Sequence, residues 1–98
     1  MTREFKEHVY GCLYGVAIGD AMGMPTTFYT PDEIKRRFGF VEKFLDAPRG
    51  HPIHDGYVAG QVTDDTELTV VIANTIIENK EVNPQSIAKG ILNWAIER

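Results

Sequence analysis

The spacing of the apolar residues restricts the fold more than any other feature of this chain, because it follows a helical period in each long segment. From Glu4 to Met22, and again from Asp65 to Asn79, apolar side chains recur every three or four residues. A third segment of this kind starts at Asn83-Pro84 and continues to Arg98. Since no two neighbouring segments alternate as paired strands do, the sequence predicts an all-α fold.

Local signals mark the ends of these helices. In Thr30-Pro31-Asp32-Glu33, a threonine N-cap precedes a proline at the first helical position and a glutamate that completes a capping box. A short helix is therefore expected there, ending before Gly39. Pro25 should end the first helix, and Asn83 should cap the last one. Residues 40–62 carry two prolines and three glycines without a sustained period, which predicts a long, ordered loop.

The apolar pattern also predicts which helix faces are buried. On the helix from Asp65 to Asn79, Val70, Ala73 and Ile77 widen the apolar stripe, which is typical of a central helix. Cys12 lies in an apolar stretch, where a free thiol behaves as a small buried hydrophobe. The residues expected to face inward on the last helix are Ile87, Ala88, Ile91, Leu92 and Ala95.

Four glycines recur at every fourth position of the first predicted helix: Gly11, Gly15, Gly19 and Gly23. Each glycine in a helix interior costs about 0.5–1 kcal/mol relative to alanine. Close packing of another helix backbone against this ridge is the expected compensation. A phosphate-binding loop is disfavoured, because the segment has neither a Gly-Lys-Ser/Thr ending nor a G-x-G-x-x-G pattern.

Charge and composition narrow the class of protein. The formal net charge of -4 and the pI near 5.2 disfavour nucleic acid and anionic membranes as partners. The one basic cluster, Lys35-Arg36-Arg37, is interpreted as the solvated side of a helix. One cysteine cannot form an internal disulfide, and the apolar stretch from Tyr10 to Ile18 is too short to cross a bilayer. A cytoplasmic protein is expected.

Three carboxylates and two hydroxyls fall within five residues at the start of the 65–79 helix: Thr63, Asp64, Asp65, Thr66 and Glu67. One interpretation is purely structural, because threonine and aspartate cap helices and acids in the first turn interact favourably with the helix dipole. The other is a hard-oxygen site for Mg²⁺ or Mn²⁺. One helix turn cannot surround such an ion, and the 98 residues contain no second acidic cluster. The local chemistry leaves both interpretations open.

Two stretches in this order and spacing resemble the ADP-ribosylglycohydrolase family. They are residues 11–25, GCLYGVAIGDAMGMP, and residues 59–67, AGQVTDDTE. The resemblance implies an all-helical fold with a dinuclear magnesium or manganese centre. It further implies hydrolysis of the glycosidic bond between ADP-ribose and a protein side chain or a small-molecule acceptor. On this interpretation residues 1–98 are the N-terminal part of a single domain, truncated at the C-terminus, where the helical pattern is still running.

The resemblance also implies roles for individual residues. The family's threonine-aspartate-aspartate metal ligands match Thr63, Asp64 and Asp65, and the two aspartates are the expected catalytic residues. Asp20 matches the first motif, and it is expected to hydrogen-bond backbone groups near the site. Many members carry a glutamate where this chain has Thr27. The family's second metal-ligand motif has no counterpart here, so the isolated chain is expected to be inactive.

The sequence leaves several alternative roles open for other residues. His51 and His54, beside Asp55, are a weak signal for a second metal, since no third ligand is near in sequence. Trp94 and Tyr57 could stack an adenine, although Trp94 is expected to pack in the core. The expected partner is an ADP-ribosylated protein or an ADP-ribose-containing small molecule. The rival classes are a non-catalytic, crystallin-like member and a helical interaction module that self-associates.

Overall fold

The first apolar segment forms helix α1, Arg3–Gly23, in the computed structural model, which describes residues 2–98. The Thr2 side chain caps it by accepting a hydrogen bond from the backbone N–H of Phe5. A single 3-10 turn, Met24–Thr26, follows, because Pro25 has no N–H with which to continue the α-helical pattern. The predicted helix and its end at Pro25 are confirmed, and the observed helix is one residue longer at each end.

Helix α2, Pro31–Phe38, has the ends that its sequence predicts. The Thr30 hydroxyl oxygen accepts from the backbone N–H of Glu33, and the Glu33 carboxylate accepts in return from the Thr30 hydroxyl and backbone N–H. Gly39 ends the helix with a φ of 69°, a conformation that favours glycine. The capping box and the glycine stop are therefore confirmed.

Residues 40–63 contain neither helix nor strand, as predicted, but the segment is held by its own polar contacts. The backbone N–H of Ala47 donates to the carbonyl of Tyr57, and that of Ala59 donates to the Asp46 carboxylate at 2.7 Å. Asp55 accepts from the backbone N–H of Gly50 at 3.0 Å. These bonds join the two arms of the loop and give it an ordered structure.

Helices α3, Asp64–Asn79, and α4, Pro84–Glu97, pack against each other. Asn83 caps α4 as predicted, because its side chain accepts from the backbone N–H groups of Gln85 and Ser86. The helices pack closely at Gly90, where an added Cβ would lie 3.0 Å from Thr75 Oγ1 and 3.2 Å from Val71 Cγ1. The close helix packing expected of the α1 glycines is thus found at a glycine that the sequence pattern did not single out.

Several predicted burial patterns are wrong. At Gly11, Gly15, Gly19 and Gly23, nothing among the described residues lies within 4 Å of an added Cβ, so the α1 ridge is open in this chain. Cys12 is exposed rather than buried. Leu92 is 59% exposed, and Ala88 and Ala95 are also exposed. Val70 and Ile77, expected on a central helix, are 49% and 70% exposed.

The described residues divide into two compact units, one ending at Thr63 and the other formed by Asp64–Arg98. The first unit buries the end of α1 and the following turn, with Ala21, Met24 and Pro25 among its least exposed residues. The second unit is the α3–α4 pair. Both are built of helices and loops, without a strand in residues 2–98, so the fold is all-α. None of the described helices combines the length and apolar character that a membrane span requires.

Candidate functional site

Thr63 and Asp20 of the first unit are joined by two hydrogen bonds. The backbone N–H of Thr63 donates to Asp20 Oδ2 at 2.7 Å, and the Thr63 hydroxyl donates to Asp20 Oδ1 at 2.5 Å. Thr63 is 5% exposed and Asp20 is half-buried. The prediction that Asp20 hydrogen-bonds a backbone group near the site is therefore confirmed, and the contact also includes the Thr63 side chain.

This contact explains an acidic residue in an unfavourable place. Asp20 lies in the last turn of α1, where the negative end of the helix dipole disfavours a carboxylate by about 0.3–1 kcal/mol. Hydrogen bonds to a charged group contribute about 1.5–3 kcal/mol each when they are buried. Two such bonds from Thr63 offset the dipole cost, so Asp20 stabilises the unit through a residue 43 positions away in sequence.

Asp64 and Asp65 follow Thr63 directly and are the first two residues of α3. Both are exposed, and both lie in the first turn, where the helix dipole favours negative charge. This position agrees with the structural interpretation, in which the carboxylates stabilise the helix start. The two side chains are also accessible from solvent. Their hard-oxygen chemistry suits Mg²⁺ or Mn²⁺.

Glu67, the third carboxylate of the acidic cluster, has a different role. Its Oε2 accepts from the indole N–H of Trp94 at 2.8 Å and from Arg98 Nε at 3.0 Å. These two hydrogen bonds, that from Trp94 first, lower the pKa of Glu67 below its ordinary value. The partners are 27 and 31 residues away in sequence, so no local signal could have revealed this role. Glu67 joins the two helices of its own unit.

The two loop histidines belong to the core of the first unit. The ring of His51 lies between those of Tyr29, at 5.4 Å, and His54, at 5.0 Å, and the His54 ring is 4.7 Å from that of Tyr57. His51 Nδ1 accepts from the backbone N–H groups of Ile53 and His54, which requires that this nitrogen carry no proton. His51 is 3% exposed and His54 is 7% exposed. The pair therefore closes a turn and fills the core.

Among residues 2–98, no three His, Cys, Asp or Glu side chains come together as a group that could hold a metal ion. The second-metal interpretation of His51, His54 and Asp55 thus gains no third ligand from the described chain. Asp55 instead accepts from the backbone N–H of Gly50.

Three further residues singled out from the sequence have structural contacts. The Thr27 hydroxyl donates to the carbonyl of Gly23 at 3.1 Å and so helps to close the end of α1. Trp94 lies on α4 and is half-buried, not buried in the core as expected, and the Arg98 guanidinium lies 5.3 Å from its ring centroid. The ring of Tyr57 lies 4.7 Å from that of His54, and Tyr57 also lines an open surface pocket with Asp46, Arg49 and Asp55.

Comparison with known proteins gives the family. The family model described as ADP-ribosylglycohydrolase matches residues 1–98. The uncharacterized protein YegU of Escherichia coli strain K12 is 34% identical over 91 residues, which are 92% of this chain and 27% of that protein. The ADP-ribosyl-[dinitrogen reductase] glycohydrolase of Rhodospirillum rubrum is 25% identical over 94% of this chain and 30% of its own length. The ADP-ribosylarginine hydrolase Tri1 of Pseudomonas putida strain GB-1 is 30% identical over 86% of this chain and 20% of its own length.

The chain thus spans between one fifth and one third of the length of these relatives. No solved structure matches it with comparable significance. The helical order, the glycine-rich first helix and the threonine-aspartate-aspartate run before α3 all fall inside the region that the family model matches. Because that match extends over residues 1–98, this chain belongs to the ADP-ribosylglycohydrolase family.

Proposed function

We propose that the protein containing this chain hydrolyses the glycosidic bond between ADP-ribose and a protein side chain or small-molecule acceptor. Family membership over residues 1–98 is the observation that carries this proposal. Two relatives bear names that specify an ADP-ribosylated protein or ADP-ribosylarginine as substrate, which favours an ADP-ribosylated protein as the partner here. The proposed compartment is the cytoplasm, in agreement with the acidic composition and single cysteine.

The proposed metal ligands are Thr63, Asp64 and Asp65, which supply three consecutive oxygen-bearing side chains. The donor set fits a hard divalent cation, since Mg²⁺ and Mn²⁺ prefer carboxylate and hydroxyl oxygens and Mg²⁺ takes only one or two carboxylates. When bound, such an ion supplies Lewis acidity and orients a water molecule or the ribose hydroxyls. A dinuclear centre, which the resemblance implies, would need further ligands beyond these three.

The carboxylates of this chain have two tasks in the proposed reaction. As the glycosidic bond breaks, the anomeric carbon takes on positive, oxocarbenium-like charge, which nearby negative charge stabilises. Asp64 and Asp65, which are exposed at the start of α3, are the proposed source of this negative charge. One of them could also accept a hydrogen bond from the attacking water and orient it. Thr63, the residue that precedes them, is held by two hydrogen bonds to Asp20.

The test is metal-dependent release of ADP-ribose by the complete natural protein and by its Asp64→Asn and Asp65→Asn variants. Each variant keeps the size of the side chain and removes its charge, and each is expected to abolish release. Asp32→Asn is the matched control, because Asp32 is also an exposed acid in the first turn of a helix. Retained activity in both site variants would contradict the proposal.

One observation favours a second candidate, a non-catalytic member of the family. The hydroxyl of Thr27, at the position where many members carry glutamate, is engaged with the carbonyl of Gly23 at the end of α1. This candidate predicts that Mn²⁺ binds no better to the wild-type protein than to Asp64→Ala. The hydrolase proposal predicts that the wild type binds Mn²⁺ and that the variant does not.

A further inference from the structure

We infer that Asp20 is a positioning residue for Thr63, and that it sets the direction in which the Thr63 hydroxyl presents its lone pairs. The inference rests on the proposed function, because it takes Thr63 as a ligand of the divalent cation. It is carried by the paired hydrogen bonds between the two residues, at 2.7 Å and 2.5 Å, inside a part-buried region of the first unit.

The paired bonds fix two degrees of freedom of Thr63. A threonine side chain has three staggered rotamers, and its hydroxyl hydrogen rotates as well. Here the backbone N–H and the side-chain O–H of one residue donate to the two oxygens of one carboxylate. Both donors can be satisfied together only when the Thr63 hydroxyl lies on the side of Asp20. The rotamer and the hydroxyl hydrogen are therefore set by the same partner.

A hydroxyl that binds a cation does so through a lone pair, so its proton must point to another acceptor. Asp20 Oδ1 is such an acceptor at 2.5 Å, in the range of a charge-assisted O–H···O⁻ bond. A carboxylate that accepts this hydrogen bond also makes the hydroxyl oxygen a better electron-pair donor to the cation, as outer partners of metal ligands generally do. Asp20 thus acts on the cation through Thr63.

The test is Mn²⁺ affinity, measured on the complete natural protein by the electron paramagnetic resonance signal of free Mn²⁺. We compare the wild type with Asp20→Asn, Thr63→Val and the double variant Asp20→Asn/Thr63→Val. Loss of an outer partner of a metal ligand typically weakens binding about 10–100-fold, which is the effect expected for Asp20→Asn. The double variant should bind within about threefold of Thr63→Val, because Asp20 has nothing to position once the hydroxyl is gone.

Asp20→Glu separates positioning from charge, and it serves as the second variant if Asp20→Asn does not fold. Glutamate keeps the negative charge but moves the carboxylate by one methylene, so positioning predicts weaker Mn²⁺ binding, whereas simple charge attraction predicts wild-type affinity. Thermal melting without metal checks that each variant is folded.

The outcomes separate the two proposals. If the wild type binds Mn²⁺ and Asp64→Asn does not, but every folded Asp20 variant retains wild-type affinity, the positioning role is excluded and the metal site stands. Losses that add in the double variant would likewise exclude it, because Asp20 would then act independently of Thr63. Absence of Mn²⁺ binding by the wild type would overturn the metal site itself and the positioning role with it.

Discussion

Single residues in this chain take their roles from their contacts in the folded structure, which the residue type alone does not specify. Glu67 belongs to a run of acids that looks uniform in sequence, and in the folded chain it accepts hydrogen bonds from Trp94 and Arg98. His51 resembles a metal ligand in sequence, but its Nδ1 closes a turn. In both cases the residue type is unchanged and the neighbours decide the chemistry.

The lowered pKa of Glu67 predicts how the stability of the α3–α4 pair depends on pH. An unfolded glutamate has a pKa of about 4.3, and the folded value is lower, so the stabilisation is complete above about pH 4.3. It is lost as the pH falls through the folded pKa. We expect the free energy of unfolding, measured in urea at a series of pH values, to decrease in that acidic range.

Glu67→Gln should remove that part of the pH dependence, since glutamine does not ionise. Because the Glu67 side chain is 39% exposed, the loss at neutral pH should be small, about 1 kcal/mol or less. Trp94→Phe, which removes the indole N–H donor, should reduce the same pH-dependent difference. Parallel pH profiles for the wild type and Glu67→Gln would contradict this account.

The hydrogen bonds that His51 Nδ1 accepts should contribute measurably to the free energy of unfolding. His51→Ala leaves the backbone N–H groups of Ile53 and His54 without their acceptor, and a buried unsatisfied donor costs about 1–3 kcal/mol. We expect His51→Asn to recover part of the loss, because an asparagine oxygen accepts from the N–H two residues on. The measurement is the free energy of unfolding of the three proteins. An equal loss in both variants would show that only ring packing matters.

Helix ends could be predicted from sequence more completely than helix faces. The Thr30-Pro31-Glu33 start and the Asn83 cap are complete within a few residues, so the sequence contains both donor and acceptor. Burial of Leu92 or Cys12 depends on what lies opposite, which periodicity alone does not specify. The same limit separates Asp20, whose backbone contact was predicted, from Glu67, whose partners follow from the α3–α4 packing.

The glycines of α1 and α4 give a matched prediction about helix contacts. Gly90→Ala places a methyl group 3.0 Å from Thr75 Oγ1, which is held by its own bond to the Val71 carbonyl at 2.8 Å. Overpacking of this kind costs about 1–3 kcal/mol, more than the gain in helix propensity.

Gly15→Ala is the control for Gly90→Ala, because nothing lies within 4 Å of its added Cβ among the described residues. It should stabilise this chain by about 0.5–1 kcal/mol through helix propensity alone. Chemical denaturation of the two variants measures the difference. A Gly90→Ala variant that is more stable than Gly15→Ala would contradict the close packing of α3 and α4.

At the scale of the whole molecule, the chain has two compact units and spans a minor part of the length of its relatives. The proposed ligands follow one another where the first unit ends and α3 begins: Thr63 is the last residue of that unit and Asp64 the first of the helix. The family pattern in the sequence is enough to propose these residues as ligands. It is not enough to propose the further ligands that a dinuclear centre would need.

Removal of the metal should lower the thermal stability of the complete natural protein. An ion that binds only the folded state stabilises it by about 2.7 kcal/mol at a concentration 100 times its Kd. We expect Mn²⁺ to raise the melting temperature of the complete natural protein, and a chelator to reverse the rise. Asp64→Asn should melt at the same temperature with and without the ion. A shift of wild-type size in that variant would place the ion elsewhere.

The division at Thr63 also separates the natural chromophores of the chain. All four tyrosines, at positions 10, 14, 29 and 57, belong to the first unit, and the single tryptophan, Trp94, belongs to the second. The indole of Trp94 lies beside a carboxylate and a guanidinium, so its fluorescence should change when those contacts break. Tyrosine and tryptophan emission therefore report on different units of the chain. The order in which the two units lose structure can be followed without any added label.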